Sequence, residues 1–158
     1  MNQSDLKHIF DYDPQSGFLK WKNPRSTKFK AGDIAGSYRA DGYIQIKLSG
    51  KMYLAHRLIW MYLYGEEVNC IDHINHNRSD NRAENLRAAN KSQNGANRKK
   101  CKSNSTGFKG VCKKKTRYTA SLISNGTRIN MGYYDTPEKA YSAYQLGAYL
   151  YHGEFAYS

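Results

Sequence analysis

Hydrophobic and polar positions alternate in short blocks through the first third of the chain. The block Phe18–Trp21 follows a Gln-Ser-Gly turn and predicts a strand, and we expect only short strands and turns over residues 1–30. Residues 43–48 alternate strictly, and a Ser-Gly turn then leads into residues 52–54, which predicts a hairpin. The beginning of the chain therefore favours small antiparallel sheets.

A buried helix and a polar loop are predicted next. Residues 56–64 are densely apolar and end before a glycine, as is typical of a short helix with a glycine stop. Residues 74–84 are almost wholly polar and predict a loop, and residues 85–89 predict a short strand. Asn90 or Ser92 then supplies the N-cap of a second helix.

The last third of the chain predicts three strands and one helix. Strand-like segments lie near 108–113, 117–123 and 127–133, and Asn125-Gly126 is a strong hairpin signal between the last two. Thr136-Pro137 opens a helix, since proline suits the first helical position. Small residues along this helix would let it lie close to the sheet.

Charge changes this picture more than overall composition does. The 158 residues hold 25 Lys and Arg against 13 Asp and Glu, a formal net charge of +12, and 39% are hydrophobic, which allows a modest core. Residues 96–128 alone carry ten basic and no acidic side chains. Apolar residues recur through this stretch at strand-like intervals, which favours a folded surface that faces a polyanion over a disordered tail.

The sequence also excludes several classes of protein. No apolar run reaches the length of a membrane-spanning helix, and no secretory signal is visible, so we expect a cytoplasmic protein without a membrane partner. Cys70, Cys101 and Cys112 are an odd number without paired spacing. They argue against a disulfide framework and against a structural zinc site.

Four polar residues in the centre of the chain could carry chemistry. Asp72 and the amide oxygen of Asn94 are hard ligands that suit Mg²⁺ or Mn²⁺. His73 can accept a proton from water near neutral pH, and Asn85 could hydrogen-bond across the loop and orient His73. Phosphodiester hydrolysis needs such a base, a metal and a held geometry. The alternative is an Asn-rich turn with a buried structural histidine.

This arrangement resembles the HNH endonucleases, specifically the phage and intron-encoded homing endonucleases of ββα-metal fold. The flanking stretches His56-Arg57-Leu58, Tyr64-Gly65 and Glu84-Asn85-Leu86 match as well. The resemblance implies one Mg²⁺ or Mn²⁺ per active site, held by Asp72 and Asn94. It places His73, as general base, and Asn85 in the catalytic set.

Some positions near this motif admit two interpretations. His76 stands where relatives usually carry a small residue; it is either an exposed loop histidine or an added phosphate or metal contact. His56 either packs and hydrogen-bonds under the site, with Arg57 steadying a carboxylate, or Arg57 contacts a DNA phosphate.

Residues 107–156 resemble the Apetala/ethylene-responsive-factor DNA-binding domain, which is also found attached to phage HNH endonucleases. The resemblance lies in Gly107–Val111, Tyr118–Ala120, Arg128–Gly132 and the segment from Ala140 to Ala156. It implies that the sheet enters the major groove while the helix braces it. Alternation predicts that one set of strand residues faces the helix and another faces outward. The inward set is Tyr118, Ala120, Leu122, Ile129 and Met131, and the outward set is Thr119, Ser121, Arg128 and Asn130. The candidate DNA-binding residues are Arg57, Lys109, Lys113, Lys114, Lys115, Arg117, Arg128 and Asn130.

Together these patterns predict an α+β protein: a small ββα-metal HNH domain followed by a three-stranded antiparallel sheet packed on one helix. The expected segments are 1–52, strand-rich; 53–100, the nuclease core; 101–107, a linker; and 108–158, the Apetala-type domain. We expect a site-specific endonuclease of double-stranded DNA, a phage homing enzyme in the host cytoplasm, that leaves 5′-phosphate and 3′-hydroxyl ends. A DNA-binding regulator with an inactive nuclease half is the alternative, and an RNA or structure-selective nuclease is less favoured. The sequence leaves open whether the protein is a monomer or a dimer.

Overall fold

The computed structural model describes residues 2–24, 27–101 and 103–156, and the chain divides into two compact units, residues 1–88 and 89–158. Its helices and strands are α1 (Gln3–Ile9), β1 (Phe10–Asp13), β2 (Phe18–Trp21), β3 (Ser37–Tyr38), β4 (Ile44–Leu48), β5 (Lys51–Leu54), α2 (Ala55–Tyr64), β6 (Cys70–His73), β7 (Leu86–Ala89), α3 (Lys91–Ala96), β8 (Val111–Lys114), β9 (Arg117–Ser124), β10 (Thr127–Tyr134) and α4 (Pro137–His152). None of the described helices is long and apolar enough to cross a membrane.

Helix α1 corrects the expectation that residues 1–30 hold only strands and turns. The Asn2 side chain accepts a hydrogen bond from the Asp5 N–H at 2.8 Å, and the Asp5 carboxylate accepts one from the Asn2 N–H at 3.0 Å. This reciprocal capping box satisfies two amide donors at the helix start. The helix buries Leu6 and Ile9. At seven residues, it is too short for its apolar period to stand out from the strands around it.

The first unit combines small antiparallel sheets with α2. Strand β1 pairs with β2, with Phe10 opposite Trp21, and β3, β4 and β5 form a second sheet. The predicted strand at Phe18–Trp21 and the predicted hairpin that ends in β5 are confirmed. Helix α2 spans the predicted apolar run and ends at Gly65, whose φ of +73° is left-handed. One hydrophobic core collects the buried residues of these elements: Leu6, Ile9, Phe10, Leu19, Trp21, Ala35, Ile44, Ile46, Leu48, Ala55, Leu58, Ile59, Trp60, Ile71 and Leu86.

The second unit contains the predicted three-stranded antiparallel sheet, in the order β10-β9-β8, with α4 packed on one face. Asn125 and Gly126 both have positive φ, 49° and 80°, as a tight two-residue hairpin requires. Thr136 caps α4, and Pro137 occupies its first turn. A Cβ atom on Gly147 would lie 2.6 Å from the Met131 Cε, so the Met131 side chain packs against this glycine where the helix meets the sheet.

Helix α3 belongs to the second unit, so the division falls inside the predicted segment 53–100. The reason lies in its contacts, since the Ser92 Oγ accepts a hydrogen bond from the Asn125 N–H at 2.9 Å. Asn90 supplies the N-cap of α3, through a capping box with Gln93. The predicted linker 101–107 also lies in this unit, where the Asn104 side chain donates to the Phe108 carbonyl at 2.8 Å.

Candidate active site

Asp72 and His73 end strand β6 and are almost fully enclosed. Each exposes only 5% of its surface, although both are polar. Strand β6 pairs with β7, so both residues stand at the mouth of the loop that joins these strands. Polar groups in such positions destabilise a protein unless they are hydrogen-bonded or ion-paired, and both side chains have such partners.

The imidazole of His73 is held by Asn81. The His73 Nε2 lies 3.0 Å from the Asn81 Oδ1, and Asn81 exposes 1% of its surface. Because an amide oxygen only accepts, this contact favours the neutral ring that carries its proton on Nε2 and its lone pair on Nδ1. Burial lowers the pKa of His73, against the opposing effects of the Asn81 hydrogen bond and the Asp72 charge. The neutral ring that a general base requires is therefore favoured.

Two aromatic side chains pack against the His73 ring. His56, on α2, meets it edge-on with ring centroids 5.2 Å apart, and the Tyr43 centroid lies 5.9 Å from it. The Arg78 guanidinium lies over the Tyr43 ring at 4.9 Å and donates to the Asp41 carbonyl at 2.9 Å. Burial lowers the pKa of His56 to about 3. His56 therefore packs beneath the site as a neutral ring.

Asn85 closes the loop between β6 and β7. Its Oδ1 accepts from the Asn75 N–H at 2.9 Å, and its Nδ2 donates to the Asp80 carbonyl at 2.7 Å. The Asn85 carbonyl also accepts from the Ile74 N–H at 3.0 Å. The hydrogen bonds across the loop that the sequence suggests are thus present. Asn81 contacts the His73 ring directly, and the role of Asn85 in orienting His73 stays a prediction.

His76 adopts a left-handed backbone conformation in this loop, with φ of +62°. Glycine adopts that conformation without strain, whereas a residue with a Cβ atom adopts it at a cost. The backbone thus gives a physical reason for the small residue that the resemblance implies at this position. The His76 side chain is half-buried rather than fully exposed.

The Asp72 carboxylate pairs with the Arg87 guanidinium. Its Oδ2 accepts from the Arg87 Nε at 2.9 Å and from the Nη2 at 2.8 Å, and both side chains are largely buried. A buried carboxylate that already associates with a cation has the donor chemistry that a divalent metal uses. Among the described residues, no group of three or more His, Cys, Asp or Glu side chains could hold a metal ion. Asn94, the other predicted ligand, is half-buried on α3 in the second unit, and its pairing with Asp72 stays a prediction.

Arg57 is exposed on α2, and its Nη2 donates to the Val68 carbonyl at 3.0 Å. This partner is a backbone oxygen, not the carboxylate that the sequence offered as one interpretation. Its contact with a DNA phosphate stays a prediction.

The open face of the C-terminal sheet carries four of the eight predicted DNA-binding residues, Lys114, Arg117, Arg128 and Asn130. The pairing of β9 with its neighbours places Arg117 opposite Lys114 and Ser121 opposite Asn130. Ala120 and Leu122 are buried on the other face, so the predicted alternation is confirmed. The exposed basic and amide residues are Lys113, Lys114, Lys115, Arg117, Arg128 and Asn130.

Lys109 lies apart from this exposed set. Its Nζ donates to the Ala96 carbonyl, at the end of α3, at 2.6 Å, and burial lowers its pKa to about 8. The side chain therefore bonds within the second unit.

Sequence reasoning did not assign a role to Tyr43, Asn81 or Arg87. Asn81 is one of four asparagines between residues 74 and 85, and composition alone does not distinguish them. Its position directly after Asp80 in a polar loop gave no sign of burial. Only the folded backbone brings it against His73.

Comparison with known proteins assigns part of the chain to a family. Residues 53–96 match the HNH endonuclease family model. This part of the chain is therefore an HNH endonuclease domain. The chain is also 38% identical, over 111 residues, to a protein of Acanthamoeba polyphaga mimivirus described as an uncharacterized HNH endonuclease. The match covers 68% of this chain and 57% of the viral protein, so the chain spans little more than half the length of that relative. No solved structure matches the chain.

Proposed function

We propose that the protein is a metal-dependent endonuclease that hydrolyses phosphodiester bonds in double-stranded DNA. The observation that carries this proposal is the buried His73, held beside Asp72 by a hydrogen bond from its Nε2 to Asn81. That pair lies within the segment that matches the HNH family model.

His73 is the general base of the proposed reaction. Its Nδ1 lone pair accepts a proton from water, and the resulting hydroxide attacks the phosphorus. The bond from phosphorus to the 3′ oxygen breaks, and that oxygen takes up a proton from solvent, which leaves 5′-phosphate and 3′-hydroxyl ends. One divalent ion, Mg²⁺ or Mn²⁺, would be held by Asp72 and Asn94, and when bound it stabilises negative charge on the phosphate. Asn85 maintains the loop that carries His73 through its two side-chain hydrogen bonds.

We assign DNA targeting to the second unit. The exposed sheet face supports this role because Lys114, Arg117 and Arg128 offer cations to phosphates beside the amide of Asn130. In its specific form, the proposal is that the second unit binds the DNA major groove as an Apetala-type domain does. We further propose, on the resemblance to phage homing endonucleases, that cleavage is site-specific.

The second candidate function is a DNA-binding regulator with an inactive nuclease half. The Asp72–Arg87 ion pair is the observation that favours it, since Arg87 already balances the charge of the proposed metal ligand. The two candidates differ in whether DNA is cut or only bound.

Cleavage of supercoiled plasmid separates these functions. The protein is incubated with plasmid in Mg²⁺, in Mn²⁺ and in EDTA, beside His73→Ala and the control His8→Ala, which removes an exposed histidine on α1. We expect metal-dependent cleavage by the native protein and by His8→Ala, none in EDTA, and a loss of roughly 100-fold or more in His73→Ala.

DNA binding completes this test. His73→Ala should bind the plasmid as the native protein does. Binding without cleavage in either metal would refute the nuclease and support the regulator. Equal losses of binding and cleavage in His73→Ala would show that His73 is structural.

A further inference from the structure

The loop between β6 and β7, which follows His73, is hydrogen-bonded to strand β1 through a tyrosine hydroxyl. The Tyr12 O–H donates to the Asn81 carbonyl at 3.1 Å, and the Tyr12 oxygen accepts from the Ala83 N–H at 2.9 Å. Tyr12 lies on β1, about seventy residues earlier in the chain. Its hydroxyl thus bridges the backbone on both sides of Arg82.

The turn of the same hairpin also touches this backbone. Gly17 stands between β1 and β2, and a Cβ atom there would lie 2.5 Å from the Arg82 nitrogen and 2.7 Å from the Asn81 carbonyl carbon. The β1–β2 hairpin therefore contacts residues 81–83 at two points, one polar and one steric. No sequence motif connects these segments.

Whereas Tyr12 contacts the Asn81 backbone, the Asn81 side chain contacts His73. Its Oδ1 accepts the Nε2 proton, which leaves the ring lone pair on Nδ1. An Asn81 backbone that moved would release the ring to either tautomer. A ring with its lone pair on Nε2 would direct its basic nitrogen toward Asn81.

We propose that Tyr12 and Asn81 are positioning residues that hold His73 in the Nε2–H tautomer, so that the N-terminal hairpin is part of the nuclease machinery. This inference rests on the proposed function for its catalytic consequence. The tautomer itself is a property of the protein without metal or DNA.

The test uses three variants of the full chain. Asn81→Ala removes the acceptor, and Tyr12→Phe removes only the hydroxyl. Tyr62→Phe is the matched control, because the Tyr62 ring packs 6.1 Å from that of Tyr12 while its hydroxyl has no hydrogen bond within the described ranges.

Two readouts are measured on each protein. Long-range nitrogen-15 NMR at about pH 8 gives the tautomer of the neutral His73 ring, assigned by comparison with His73→Ala. Single-turnover cleavage with saturating protein gives the rate of the chemical step. We expect one Nε2–H tautomer in the native protein and in Tyr62→Phe. Asn81→Ala should show mixed tautomers and a rate lower by roughly 10- to 100-fold, and Tyr12→Phe a smaller loss of about fivefold.

The outcomes separate this inference from the proposed function. A native protein that cuts no DNA but shows the single tautomer, lost in Asn81→Ala, would refute the nuclease and support the positioning role. Unchanged tautomer and rate in both variants would refute the positioning role while the nuclease stands. If Asn81→Ala fails to fold, Tyr12→Phe tests the positioning role by itself. A native cleavage rate and a native His73 spectrum in Tyr12→Phe would then overturn the inference.

Discussion

The close approach of Gly17 to the loop between β6 and β7 predicts a large loss of stability on Gly17→Ala. Its φ of +73° is left-handed, which costs a residue with a Cβ atom about 1–2 kcal/mol. The new Cβ would lie 2.5 Å from the Arg82 nitrogen and 2.7 Å from the Asn81 carbonyl carbon. Both atoms are backbone, so no side chain can rotate to relieve the overlap.

Gly50→Ala is the matched control for this change. Gly50 has a similar φ of +79°, but a Cβ atom there would have no neighbour within 4 Å. The gain of about 0.4–1 kcal/mol from a stiffer unfolded chain offsets part of the left-handed cost in both variants. We therefore expect a loss of about 1 kcal/mol for Gly50→Ala. Overpacking adds about 1–3 kcal/mol to that loss in Gly17→Ala.

Urea unfolding followed by tryptophan fluorescence measures this difference. The chain has two tryptophans, Trp21 and Trp60, and both lie in the first unit, so the signal reports on the unit that contains both glycines. Losses that agreed within about 0.5 kcal/mol, the usual size of a neutral surface change, would refute the close approach of the hairpin to residues 81–82.

Two further predictions concern charge. The ion pair with Arg82 holds the pKa of Asp80 at about 2, below its unfolded value near 3.9. The ion pair therefore adds to the free energy of unfolding at pH values above the unfolded-state pKa of Asp80, and this stabilisation is lost as the pH falls toward the folded-state pKa of about 2. Asp80→Asn should therefore show a smaller fall in urea midpoint between neutral and acidic pH, and an unchanged fall would contradict the pairing. In the second unit, Arg128→Met should weaken DNA binding and reduce the slope of log affinity against log salt concentration by about one. Lys109→Met should leave that slope nearly unchanged, because the Lys109 Nζ bonds to the Ala96 carbonyl. Equal slopes for the two variants would refute the inward assignment of Lys109.

The sequence predicted the turns and helix ends whose signals lie within a few neighbouring residues. The Asn125-Gly126 turn, the Thr136-Pro137 helix start and the Gly65 helix stop each depend on backbone preferences within a few residues. The fold of the second unit follows because its strands are consecutive hairpins. The short helix α1 was missed because its capping box marks only one turn of chain.

Side-chain partners across long sequence separations could not be predicted in the same way. The motif indicated that Asp72 and His73 lie together, since they are neighbours in the chain. The contacts of Tyr12 with Asn81 and of Arg87 with Asp72 depend instead on how strands pair and where a hairpin packs. Lys109 is a further case: the resemblance makes it a candidate DNA contact, and only the fold shows that its Nζ bonds to the Ala96 carbonyl.

The two neighbouring histidines show how the environment decides which ring can act as a base. Both are buried, and their rings meet edge-on at 5.2 Å. Burial lowers the pKa of His56 to about 3, and a base that weak has little driving force to accept a proton near neutral pH. His73 differs because Asn81 accepts its Nε2 proton and the Asp72 charge lies nearby, and both effects oppose burial. These surroundings are the reason why we propose His73, and not His56, as the reacting ring. Because the Asn81 backbone is held in turn by Tyr12, the N-terminal hairpin contributes to that distinction.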